Sequence, residues 1–167
     1  MLKIFYNLGD LDFRQLMDVY EETNLTKGRE DYPKEPEGLR LLFAEQDFYQ
    51  YLELFFQSPD AVYAVWDEEG RYRSALRLER YKDGFLVTAL ETLPAARGLG
   101  CGKCLLSSVV DFIQKPLYSH IRKDNVSSLA VHQKCGFAII SHEATFLDGS
   151  AQKDYYTMKL TKTDPVA

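Results

Sequence analysis

The 167-residue sequence has no apolar run that approaches the length of a membrane span, so no transmembrane helix and no membrane partner are expected. Cysteine is scarce. Cys101, Cys104 and Cys135 are odd in number and too few for the disulfide framework of a small secreted protein. Met1-Leu2-Lys3-Ile4-Phe5-Tyr6 is too short an apolar start for a secretory leader. A reducing, cytoplasmic setting is therefore expected. The sequence contains no internal repeat and no low-complexity segment, which excludes solenoid and fibrous architectures. Its net charge is −5, and no nucleic-acid partner is expected.

What is present fits one globular unit. Hydrophobic residues make up 46% and charged residues 27% of the chain. A chain of this size buries roughly two-thirds of its unfolded surface and folds without metals or cross-links. One domain is expected over residues 1–160, followed by a loose tail at 161–167. Charge is unevenly spread: residues 10–60 hold thirteen acids and five bases, and the rest twelve acids and fifteen bases. The two parts thus carry −8 and +3. Solvated helix faces account for that split, as does a protein that holds an anion with one part and meets a cation with the other.

Periodicity supplies the elements. Residues 2–6 read as a strand, and Phe13, Leu16, Met17 and Tyr20 recur at helical spacing behind an Asp12 cap. Residues 27–37, with Gly28, Pro33 and Pro36, read as a loop. A second helix, from Leu39 to Phe56, ends at Ser58-Pro59. Residues 61–66, 71–80 and 85–90 read as three strands of a meander. A helix follows residue 101, then a strand at 116–121, a short helix at 126–135, and strands at 137–140 and 155–160 closing as a hairpin around Leu147-Asp148-Gly149-Ser150.

The most informative stretch is Arg97-Gly98-Leu99-Gly100-Cys101-Gly102-Lys103, which lies between a strand and an apolar helix. A helix start presents unpaired N–H groups and partial positive charge, and glycine lets a ligand approach the backbone. The turn therefore suits a phosphate-bearing ligand. Only three residues separate Gly98 from Gly102, and Cys104 follows Lys103, so a Walker A loop is excluded. The even spacing of Gly98, Gly100 and Gly102 also fails the dinucleotide fingerprint. Cys101-Gly102-Lys103-Cys104 is a C-x-x-C, but Cys135 is the only further cysteine and no zinc set is completed; no metal site is expected. The helix start is expected to lower the pKa of Cys101 or Cys104.

Arg97-x-x-Gly100-x-Gly102 resembles the pyrophosphate loop of the GNAT superfamily of acyl-CoA-dependent N-acyltransferases. Asn125-x-x-Ser128-x-x-Val131-His132-x-Lys134-x-Gly136-Phe137 is similar to that family's following helix, with His132 where a tyrosine is common. The resemblance covers residues 2–160. It implies an α/β (α+β) fold with a mixed, mostly antiparallel sheet of about six to seven strands and about four flanking helices. It also implies acetyl-CoA as acyl donor and direct attack by an amine within a ternary complex.

By resemblance, Arg97, Gly98, Leu99, Gly100, Cys101, Gly102 and Lys103 hold the pyrophosphate. Thr92 and Leu93 pair with the pantetheine arm, an amide there polarising the thioester. Asn125 and Ser128 face the same arm; an N-cap and close packing explain them equally well. His132 stands where an acid for the departing thiolate is expected, or is a packing residue. Glu91, at the strand end, is the candidate general base. The acids of the first two helices and their connection, Glu21, Glu22, Glu30, Asp31, Glu45 and Asp47 among them, suggest a cationic small-molecule or peptide amine. A catalytically inactive CoA-binding or protein-interaction module remains the alternative, and monomer and homodimer are both compatible with the sequence.

Overall fold

The alternating segments of the sequence build a seven-stranded sheet in the computed structural model, which describes residues 1–161. The expected tail lies, from 162 on, outside the described residues. The strands are β1 (Leu2–Phe5), β2 (Val62–Glu68), β3 (Arg71–Tyr81), β4 (Gly84–Thr92), β5 (Leu117–Arg122), β6 (Phe137–Ser141), β7 (Ala144–Thr145), β8 (Ala151–Gln152) and β9 (Tyr155–Leu160). The sheet order is β1-β2-β3-β4-β5-β9-β6, with β7 and β8 forming a separate two-stranded ribbon at the tip of the last hairpin. Among the described residues only β4 and β5 pair in parallel. The expected architecture is thus observed.

Among the described residues five helices flank it: α1 (Phe13–Val19), α2 (Glu21–Asp31), α3 (Glu37–Phe55), α4 (Cys101–Phe112) and α5 (Val126–Lys134). One more is present than expected, because α2 runs through the first half of the segment read as a loop. Gly28 accounts for the misreading. A Cβ there would stand 2.6 Å from the carbonyl oxygen of Arg40, so this glycine permits α2 and α3 to cross closely and does not end a helix. The Lys27–Asp31 pair at 2.6 Å supports the same turn. The break comes later, at Pro33 and Pro36.

Strand alternation divides the core between two faces. Tyr63, Val65 and Ala75 pack under Leu16, Met17, Tyr20 and Leu52 of the α1–α3 layer. Val62, Ala64, Leu76 and Leu78 face Leu105, Leu106 and Val109 of α4. Each of these fully buried leucines contributes about 1.5–3 kcal/mol of burial energy.

The feature that positions the site is a split in the middle of the sheet. β4 and β5 pair only through Phe85–Leu117, Leu86–Tyr118 and Val87–Ser119. Further along, Arg77 lies opposite Thr88 and Ala75 opposite Glu91, so β4 carries one extra residue. Ala89 takes the resulting bulge with φ +53°, a conformation that costs an L-residue energy. The Tyr20 hydroxyl donates to the Ala89 carbonyl at 2.6 Å, and the Tyr63 hydroxyl donates to that of Tyr20 at 3.0 Å. Held in this way, β4 bends from β5 and a cleft opens between them.

Candidate active site

On one side of the split lies the glycine turn. After β4 the chain makes a short 3₁₀ turn at Pro94–Ala96 and enters α4 through Gly98 and Gly100, whose φ values are +78° and +81°. A side chain at either position would strain the backbone. Gly102 is small for another reason: a Cβ there would meet the Thr92 hydroxyl at 3.0 Å. The first turn of α4 presents its unpaired N–H groups to a cleft lined by Thr92, Arg97, Gly98, Gly100, Gly102 and Lys103. Ser127, Ser128 and Lys134 of α5 and the cap residue Asn125 close the opposite wall. Lys134 and Ser127 carried no expected role, although Lys134 belongs to the motif that signalled the helix.

Leu99 and Cys101 stand differently from expectation, while Arg97 and Asn125 make the contacts that their alternative readings anticipate. Leu99 is 73% exposed and does not line the cleft. The Cys101 thiol is buried, and burial pushes its pKa up, reversing the expected lowering at a helix start. Its carbonyl accepts from the Ser74 hydroxyl at 3.0 Å. Arg97 pairs with Glu22 at 2.8 Å, tying the loop to α2. Asn125 caps α5 by accepting from the Ser128 N–H at 3.1 Å.

The Leu93 amide is already used, donating to the Arg73 carbonyl at 2.8 Å. Because hydrogen-bonding direction alternates along an antiparallel strand, Glu91 and Leu93 face β3 while Leu90 and Thr92 face the edge that β5 has left. Both line the glycine-turn cleft. The free backbone groups for an added extended chain therefore belong to Leu90 and Thr92. Sequence alone did not distinguish Leu93 from Leu90, since the register depends on the bulge.

A second cleft of about 790 Å³ lies between the splayed strands, and a third of about 270 Å³ sits beneath α2 and α3. Glu91 lines all three. Burial raises its pKa above the ordinary carboxylate value, against the hydrogen bond it accepts from the Thr23 hydroxyl.

His132 is 1% exposed. Its Nδ1 lies 2.8 Å from the Ser128 carbonyl oxygen and its Nε2 3.0 Å from the Ser119 hydroxyl. The neutral ring satisfies both by donating from Nδ1 and accepting at Nε2. Burial lowers its pKa and favours that neutral form. Giving a proton to a thiolate would need a second ring proton, which this environment opposes.

These features match a known family in sequence as well. The profile of the acetyltransferase (GNAT) family matches residues 16–137. The chain belongs to the GNAT acetyltransferase family. Membership makes it an acetyltransferase with acetyl-CoA as co-substrate. No curated protein matches it in sequence. Among solved structures it is similar to the ribosomal-protein-S18-alanine N-acetyltransferase of Escherichia coli, at 15% identity and TM-score 0.61, covering 100% of this chain and 99% of that one. The N-acetyltransferase PseH of Campylobacter jejuni, solved with acetyl coenzyme A, gives 15% identity and TM-score 0.62 over 98% and 100%. The PaiA N-acetyltransferase of Thermoplasma acidophilum, solved with coenzyme A, gives 12% and 0.63 over 97% and 99%.

The residues of this GNAT chain fit such a co-substrate. Unpaired N–H groups and two lysines suit a pyrophosphate, and the unpaired edge of β4 suits an extended amide-bearing arm. Among the described residues no helix is long and apolar enough to cross a membrane, and no cluster of metal-binding side chains occurs.

Proposed function

We propose that the chain acetylates an amine, with Glu91 as general base. The observation that carries this reading is the position of Glu91 where the three clefts meet, since a base must touch the acceptor while the acceptor touches the donor. Amines arrive as ammonium ions, and a carboxylate with a raised pKa is a better proton acceptor than an exposed one. Bound acetyl-CoA supplies an activated thioester: the amine nitrogen bonds to the acetyl carbon, the C–S bond breaks, and its electron pair leaves with sulfur.

In this reading the glycine turn and Lys103 hold the pyrophosphate, with Lys134 adding charge from α5. Arg97 spans the loop and α2, so its charge serves the same end of the cleft. The N–H groups of Leu90 and Thr92 pair with the pantetheine arm and face the thioester oxygen as its charge grows. Asn125 and Ser128 line both the glycine-turn cleft and the central one, and so flank the arm. A thiol with an ordinary pKa of about 8.5 leaves readily as the anion. We therefore assign His132 to positioning, through Ser119 on β5, in place of proton donation.

The test is free-thiol release from acetyl-CoA with matched amines and alcohols. Amine-dependent release, with no release from the alcohols, is the expected result. Tight CoA binding without turnover of any amine would leave a binding module in place of an enzyme.

A further inference from the structure

The cavity beneath α2 and α3 contains a charge that the mechanism does not use. Arg77 projects from β3, between Tyr63 on β2 and Thr88 on β4, and lines both this cavity and the central cleft. Its Nε is buried without a hydrogen-bond partner. Among the described residues it forms no ion pair, whereas Arg14, Arg29, Arg73, Arg80, Arg97 and Arg122 all do. Its guanidinium carbon lies 4.7 Å from the centre of the Tyr51 ring, a cation–π contact.

The carboxylates nearby are otherwise engaged. Glu79 accepts from Tyr51 and Thr88, Glu91 from Thr23, and Asp47 from Tyr32. A guanidinium taken from water with an orphaned N–H is costly unless something pairs with it. Four of the acids expected to draw a cation are spent elsewhere: Asp31 on Lys27, Glu37 on Arg29, Glu45 on Arg14 and Glu22 on Arg97.

Resting on the acetyl-transfer reading above, we propose that the acceptor is a small amine that also bears a carboxylate. Its amine meets Glu91 and its carboxylate pairs with Arg77. A guanidinium fork matches a planar carboxylate and takes it through two parallel N–H donors. Arg77 offers one fork for one carboxylate, and Glu79, Glu91 and Asp47 disfavour the second charge of a phosphate. The cavity of about 270 Å³ suits a small molecule rather than a peptide chain. This reverses the expectation of a cationic acceptor.

The test uses ω-amino acids of increasing length, their carboxamides, and diamines of equal length. The expected kcat/KM for the best amino acid exceeds that of its carboxamide on the order of tenfold to a hundredfold. Arg77→Met, which keeps a long apolar stem against Tyr51, should erase that ratio while leaving the KM for acetyl-CoA unchanged. Arg77→Lys should restore part of it. Equal rates for acid and amide in the unaltered protein, or preference for the diamine, would overturn the proposal.

A separate measurement keeps the two readings apart. Simple aliphatic carboxylates without an amine, added to the CoA-saturated protein, should raise its melting temperature, and should not do so in a folded Arg77→Met variant. That result with no turnover would remove the enzyme reading and keep the Arg77 site. Turnover of amines without carboxylate preference would do the opposite.

Discussion

Tyr20, at the junction of α1 and α2, donates its hydroxyl to the carbonyl of Ala89, the left-handed residue in the bulge of β4. A helix corner thereby fixes the point at which the sheet parts. The same hydroxyl accepts from Tyr63, and both phenols are buried, so their pKa values are pushed up and neither ionises near neutrality.

Tyr20→Phe removes the donor to Ala89 and leaves the Tyr63 hydroxyl without its acceptor. The expected loss is about 1–3 kcal/mol of stability, read by urea denaturation. Relaxation of the bulge should also raise the KM for acetyl-CoA. An unchanged KM in a destabilised variant would limit the pair to a structural role.

Glu91 makes a two-part prediction. Its pKa is raised in the folded state, so the native protein is relatively most stable below the unfolded carboxylate pKa, and that contribution is lost as pH rises through the folded value. Glu91→Gln should therefore melt higher than the parent at pH 7, with the difference closing in acid. The same variant should lose roughly 10²–10⁴-fold in kcat. In the parent, rate should fall as pH drops through a value above the ordinary carboxylate range. A variant that is more stable and fully active would remove Glu91 from the chemistry.

His132 has the opposite sign. Burial depresses its folded pKa, so its contribution is present above the unfolded value near 6.5 and is lost as pH falls through the folded one. Half-buried His120 behaves likewise. His132→Asn should flatten part of the acid-induced loss of stability that sets in as pH falls below about 6.5. If His132 positions Ser119 and gives no proton, the alkaline limb of the pH–rate profile should be the same in parent and variant.

Gly100 occupies the cap of α4 at φ +81°, with open space where a Cβ would sit. Gly100→Ala should cost about 1–2 kcal/mol through backbone conformation alone. Gly100→Asn should cost less, because asparagine tolerates the left-handed region. Thermal denaturation ranks the three. CoA-induced stabilisation should fall in both variants, since each carries a side chain at the edge of the N–H cradle. Gly102 is unsuitable for this comparison, because its substitution would disturb Thr92.

Local pattern made much of this legible. Strand alternation, the Asp12 cap and the glycine turn depend on neighbours in sequence, and each was readable before any tertiary contact was known. The glycine-turn cleft was readable because its unpaired N–H groups belong to the backbone between Gly98 and Lys103. Gly28 misled because its reason for being small, the Arg40 carbonyl, lies twelve residues away. Leu90 was missed because a bulge resets which amides face outward. Arg77 was invisible for a different reason. An alternating strand with several arginines reads as a solvated face, and only the packing of α2 and α3 over it shows that this one is covered.

The narrow joint between β4 and β5 has a thermodynamic consequence. Three residue pairs connect the half of the sheet that holds β1 to β4 with the half that holds β5, β9 and β6. A ligand lying along the unpaired edge acts as a splint between them, present in the native state and absent from the unfolded one. Amide hydrogen exchange in β5 and β9 should therefore slow with CoA concentration more than exchange in β2 and β3. The protein's resistance to local opening becomes a readout of how much CoA surrounds it.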